Sequence, residues 1–219
     1  MSTTVNRIKP AAQLLASGVM AILRSEQYDY VSMAAQTLVD AGVTCLEVTL
    51  TIPNVIQQLP ELAATLPDNV CLGVGTVTTA EQAHAAVAAG ATFLVCPTVC
   101  LDVLEAAAQL GIACYPGAWT PTEILTAWNA GATAVKLFPA ASGGPEHLGR
   151  LRDPFPNIPL LPTGGVSLEQ VPRYLAAGAC AVGMGSPLLG DALEGGDLEG
   201  LRHRASTVLE TVRVARKKQ

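Results

Sequence analysis

One unit recurs along this chain: a helical pattern, a glycine, a small or β-branched residue, then an apolar strand-like run. It reads ASGVMAILR (16–24), DAGVTCLEVTL (40–50), AAGATFLVCP (88–97), QLGIACYPG (109–117), NAGATAVKLFP (129–139) and AAGACAVGMG (176–185). The glycines, Gly18, Gly42, Gly90, Gly111, Gly131 and Gly178, stand 24, 48, 21, 20 and 47 residues apart, so two spacings are double and each should hide one more unit. Both gaps hold one, Pro67-Asp68-Asn69 before VCLGVGT (70–76) and Pro156-Asn157 before IPLLPTGG (158–165). Strands that alternate with helices and are apolar almost throughout belong to a parallel sheet covered by those helices.

Eight such units are expected to close into a (β/α)8 TIM barrel with an extra N-terminal helix at about residues 7–17, the whole chain 1–219 forming one domain. A doubly wound open sheet is the second choice, since it does not require an even eightfold count. The glycines are expected helix C-caps. Capping-box patterns at Thr78 to Glu81, Thr120 to Glu123 and Ser167 to Gln170 start helices just after strands.

Composition narrows the function. Half of the 219 residues are hydrophobic and only 4% aromatic, so the core is built from Ala, Val and Leu. The net charge of −5 offers nucleic acid no basic face; Arg213, Arg216, Lys217 and Lys218 read as the solvated end of a last helix. The run Ala11 to Leu23 is interrupted by Gln13, Ser17 and Gly18 and lacks a cleavage site, so neither a signal peptide nor a membrane span is expected. Six cysteines lie mostly in apolar runs, and Cys96 and Cys100 have no histidine companion, so zinc is not expected and a reducing, cytoplasmic location is.

Chemistry is sought where strands end. In ATAVKLFPAA (132–141), Lys136 shares a strand face with Ala134 and Phe138. An ammonium among such neighbours is costly unless paired, and the neutral amine is the nucleophile of Schiff-base chemistry. The plain alternative is a strand-end lysine that reaches solvent. On the second strand Glu47 shares a face with Cys45 and Thr49; it is either an ion-pair partner of Arg24, at the end of the first strand, or a general acid/base with Arg24 anchoring a substrate carboxylate. Thr76, after Gly73-Val74-Gly75, could hold the same carboxylate. Pro162-Thr163-Gly164-Gly165 and Gly183-Met184-Gly185-Ser186 end the last two strands in glycine turns of the kind that cradle phosphate, with Ser167 and the Ser186-Pro187 pair as caps.

LEVTL around Glu47, GVGT (73–76), the CPT containing Pro97, PGAWTPTE (116–123), KLFPA (136–140), LPTGGV (161–166) and VGMGS (182–186) together resemble the 2-keto-3-deoxy-6-phosphogluconate (KDPG) and 4-hydroxy-2-oxoglutarate (KHG) aldolase family, from about Ala11 to Leu189. The resemblance implies a homotrimeric class I aldolase that needs no metal or other cofactor. Lys136 would be the Schiff-base lysine and Glu47 the acid/base working through a water. Arg24 and Thr76 would hold the pyruvate carboxylate, Pro97 and Phe138 wall the pocket, and Thr163, Gly164, Gly165, Gly185 and Ser186 line the phosphate end. The partner is then a small 2-keto acid or phosphorylated sugar acid. Some members carry an arginine where this chain has Thr51 and lack Arg24, so the chain resembles the branch that supplies its guanidinium from the first strand. Two other readings compete: a phosphosugar isomerase or epimerase, which would need a further acid/base or metal at a strand end, and a non-catalytic phosphosugar binder in which Lys136 only pairs with Glu47.

Overall fold

The computed structural model describes residues 7–217. Strands and helices alternate as expected: α1 (Ala12–Ser17), β1 (Val19–Leu23), α2 (Val31–Asp40), β2 (Cys45–Thr49), α3 (Val55–Thr65), β3 (Cys71–Gly75), α4 (Ala80–Ala88), β4 (Phe93–Val95), α5 (Leu101–Leu110) and β5 (Ala113–Tyr115). They continue through β6 (Gly117–Ala118), α6 (Pro121–Asn129), β7 (Val135–Leu137), α7 (Gly144–Arg152), β8 (Leu160–Pro162), α8 (Val171–Ala176), β9 (Val182–Met184), α9 (Ser186–Leu189) and α10 (Leu198–Arg216).

The closed eight-stranded barrel expected from the repeat is not what forms. The strands make two parallel sheets, one of six in the order β5-β4-β3-β2-β1-β9 and one of three in the order β6-β7-β8. The fifth apolar run is divided at Pro116, which has no N–H to donate to a ladder; β5 pairs with β4, whereas β6 pairs with β7. At the other seam β8 and β9 share no ladder; an isolated bridge, Thr163 to Gly183, and a Cys180 N–H to Leu160 O bond at 3.0 Å join the two sides. The repeat counted apolar runs correctly, but periodicity carries no information on whether a ladder is continuous.

The N-terminal helix is also shorter than expected, covering Ala12–Ser17 and not residues 7–17. Arg7 instead lies over the Trp128 ring, 3.4 Å from its centroid, and donates to the Trp128 and Ala132 carbonyls. Two expected capping boxes form where the pattern put them, at Thr120/Glu123 and Ser167/Gln170, while the first is shifted by one residue to Thr79/Gln82. Gly18 and Gly111 cap α1 and α5 in left-handed conformation. The basic cluster sits partly on the last turn of α10 (Arg213, Arg216), and Lys218 lies outside the described residues.

Both strand faces are buried, as parallel sheets require. Val135 and Leu137 join the large core between sheets and helices. The other face packs Met20, Cys45, Cys71, Phe93 and Tyr115 of the large sheet with Leu161 of β8 and Ala134, and Leu14 of α1 closes it. There Phe93 meets Tyr115 edge-on at 5.7 Å, a pairing that adds about 1 kcal/mol to what burial alone contributes. This inner apolar layer is the floor on which the site rests.

Candidate active site

Lys136 is the centre of β7, level with Gly117 of β6 and Leu161 of β8, and its backbone N–H donates to Pro116 O at 2.9 Å. The residue is only 5% exposed, so it does not reach out into solvent. Its Nζ is 5.2 Å from the centroid of the Phe138 ring. Both line a cavity of about 870 Å³.

Glu47 stands in the middle of β2, level with Ile22 of β1 and Gly73 of β3. It is fully buried, and neither carboxylate oxygen has a hydrogen-bond partner among the described residues. An ion pair with Arg24, one of the two sequence readings, is therefore not what holds it. On the same strand face Cys45 feels it: burial first, then the Cys71 thiol and the Glu47 carboxylate, push the Cys45 thiol well above its ordinary range. A buried carboxyl left without partners is unfavourable for folding and calls for a functional explanation.

Arg24 follows β1 and donates from Nη2 to Thr76 Oγ1 at 3.2 Å. Thr76 holds a positive φ of 64°, a strained choice for a β-branched residue and one that turns the chain sharply at the end of β3. The guanidinium keeps its other N–H groups for a ligand.

The two glycine turns are placed next to the lysine. Ala140 N–H donates to Thr163 O and Ala141 N–H to Gly164 O, so the segment after Lys136 is laced to the turn after β8. Gly164 and Gly165 have φ of 87° and 77°, and a Cβ on Gly164 would come within 2.9 Å of the Phe138 ring. They let the chain turn where the Phe138 ring lies. The Tyr174 hydroxyl, buried on α8, donates to Ala140 O at 3.0 Å and fixes the same segment from behind. After β9, Gly185 occupies the N-cap of α9 and Ser186 its first turn, so Ser186 is not the cap the sequence suggested.

Of the residues singled out in the sequence, the cavity brings together Arg24, Lys136, Phe138, Thr163, Gly164, Gly165, Gly185 and Ser186. Glu47 and Thr76 are not among its lining residues. Pro97 is half-buried after β4, its carbonyl packed against Gly117 of β6. Sequence reasoning missed Ser25, Glu26, Gln27, Thr51, Leu193 and Glu194, which also line the cavity. Ser25 Oγ donates to Leu193 O at 3.4 Å and ties the two loops across the mouth. The turn residues Gly190-Asp191 and Gly195-Gly196-Asp197 after the last strand were the available signal for this second loop. Among the described residues no group of three or more His, Cys, Asp or Glu is arranged to hold a metal ion, and no helix is long and apolar enough to cross a membrane.

The cavity gathers a buried lysine beside an aromatic ring, a guanidinium and two glycine turns, and the second strand carries a buried carboxyl without a hydrogen-bond partner. Comparison with known proteins agrees with that chemistry. The family model for KDPG and KHG aldolase matches residues 11–203. The 2-dehydro-3-deoxy-6-phosphogalactonate aldolase of Escherichia coli K12 is 33% identical over 171 residues, 78% of this chain and 83% of that protein. The KHG/KDPG aldolase of the same organism is 32% identical over 203 residues, 91% of this chain and 95% of that one. A solved structure of KDPG aldolase from Legionella pneumophila, with pyruvate captured at low pH as a covalent carbinolamine intermediate, aligns with a TM-score of 0.77 at 31% identity, covering 95% of this chain and 98% of the other.

Proposed function

The chain belongs to the KDPG and KHG aldolase family, and from that premise we propose that it is a class I aldolase cleaving 2-dehydro-3-deoxy-6-phosphogluconate to pyruvate and glyceraldehyde 3-phosphate, and 4-hydroxy-2-oxoglutarate to pyruvate and glyoxylate. The observation that carries the reading is a buried lysine lining the cavity, with an unpaired buried carboxyl on the neighbouring sheet.

The neutral Lys136 amine attacks the keto carbon C2, giving a carbinolamine that loses water to form an iminium. Arg24, oriented by Thr76, takes the substrate carboxylate. Glu47, acting through a water, removes the proton from the C4 hydroxyl. The C3–C4 bond then breaks, its electrons pass to the iminium as an enamine, and the aldehyde leaves. Glu47 returns that proton through the water to C3 of the enamine, and hydrolysis of the resulting iminium releases pyruvate and restores the amine. Phe138 and Pro97 wall the reacting carbons, and Thr163, Gly164, Gly165, Gly185 and Ser186 receive the phosphate end. No step calls for a metal or organic cofactor.

The same reading takes the active form as a homotrimer in the cytoplasm; Met33, Leu101 and Leu125, large apolar residues left exposed on the outer helices, and six free cysteines support it. A second substrate, the galactonate epimer, is favoured by the likeness to the phosphogalactonate aldolase. Pyruvate release, followed by coupled oxidation of NADH with lactate dehydrogenase, tests the proposal with both sugar acids and with 4-hydroxy-2-oxoglutarate. Turnover of at least one is expected, and no pyruvate from any would overturn it.

A further inference from the structure

Gly75 ends β3 opposite Thr49 of β2 in extended backbone, a conformation any residue adopts. A Cβ built there would lie 1.8 Å from Glu47 Oε1, 2.5 Å from its Cδ and 2.7 Å from its Cγ. The three nearest atoms all belong to the one carboxylate side chain. Elsewhere in this strand the pattern differs, since a Cβ on Gly73 would enter the Phe93 ring at 2.3 Å. Glu47 is fully buried and has no hydrogen bond to hold it in place, so its position rests on packing alone. Thr76, the next residue, receives Arg24.

We propose that Gly75 is a positioning residue for Glu47: its missing side chain leaves the room in which the carboxyl lies flat against the end of β3. One methyl group there removes that room without straining the backbone. The carboxyl must withdraw by more than an ångström to reach ordinary contact, and displacement on that scale costs on the order of 10²-fold in rate. The inference rests on the aldolase reading for its kinetic part and on packing alone for its structural part.

The test compares the parent, Gly75→Ala, Glu47→Ala and the double variant. In Gly75→Ala, kcat is expected to fall about 10²-fold with KM little changed. Borohydride trapping of pyruvate on Lys136 should persist, while exchange of the pyruvate methyl protons with deuterated water, the step that needs the displaced carboxyl, should slow in parallel with kcat. In the Glu47→Ala background the three atoms nearest the added methyl are gone, so Tm and residual turnover should match those of Glu47→Ala alone. If Gly75→Ala does not fold, recovery of folding in the double variant supports the inference equally, because it traces the clash to the Glu47 side chain. Parental kcat in Gly75→Ala, a further loss in the double variant, or a double variant that also fails to fold would overturn the inference. A parent that traps no pyruvate would instead defeat the aldolase reading and leave the comparison of melting temperatures standing.

Discussion

Arg24 and Thr76 meet across β1 and β3, Nη2 to Oγ1 at 3.2 Å, over the strand that carries Glu47 between them. The contact orients a guanidinium with a hydroxyl from a residue whose own backbone is strained. Arg24→Lys keeps the charge but loses the planar fork that fits a carboxylate. The expected result is a KM for the keto acid raised about tenfold, a little over 1 kcal/mol, with kcat changed less. Steady-state kinetics of pyruvate release check it.

Thr76→Gly separates strain from function. Relief of the positive φ is worth on the order of 1 kcal/mol, partly offset by the freedom glycine adds to the unfolded chain. The melting temperature is expected to hold or rise, while KM rises because Arg24 loses its partner. Calorimetry and kinetics on one preparation decide.

Glu47→Gln keeps the shape and removes the base. Turnover should fall by roughly 10² to 10⁴, with trapping of pyruvate on Lys136 retained in part. Unchanged turnover would take Glu47 out of the mechanism.

Ser186 is assigned to the phosphate end alone. Ser186→Ala should raise KM for the phosphorylated sugar acid by about tenfold, the loss of one hydrogen bond to a charged group, and leave 4-hydroxy-2-oxoglutarate kinetics as they were. Equal effects on both substrates would place the phosphate elsewhere.

The capping box at α6 gives a prediction in pH. Glu123 Oε2 accepts from the Thr120 and Trp119 backbone N–H groups at 2.8 and 2.9 Å and from the Thr120 hydroxyl, and these bonds, the Thr120 amide first, hold its carboxyl below the usual range. A pKa lowered on folding adds stability above the unfolded value, and that stability is lost as pH falls through the folded one. The gap in Tm between the parent and Glu123→Gln should therefore be widest near neutrality and close on acidification. Thr120→Ala should cost about 1 kcal/mol, read by denaturant titration.

The alternation of strand and helix, the burial of Lys136 and Glu47 on their strands and the place of Arg24 after the first one were legible because they depend on local pattern: a repeat spacing, and charges in runs that are otherwise apolar. The division of the sheet at Pro116 was not, although the proline stood in plain view, because the pattern predicts where strands occur and not which neighbour each one finds. The loop bearing Leu193 and Glu194 was missed for a related reason. Its turns were visible, but its reach back to Ser25 is a contact across 168 residues. Gly75 stood in the sequence only as part of the Gly73-Val74-Gly75 strand end; that the atom it spares is a carboxylate oxygen depends on a neighbouring strand that no local pattern specifies.

The central claim concerns one nitrogen. Incubation with pyruvate and sodium borohydride, followed by intact mass and peptide mapping, should find a single reduced three-carbon adduct, located on Lys136 and absent from Lys136→Met. An unmodified protein, or an adduct on a surface lysine such as Lys9 with Lys136 untouched, would contradict the account.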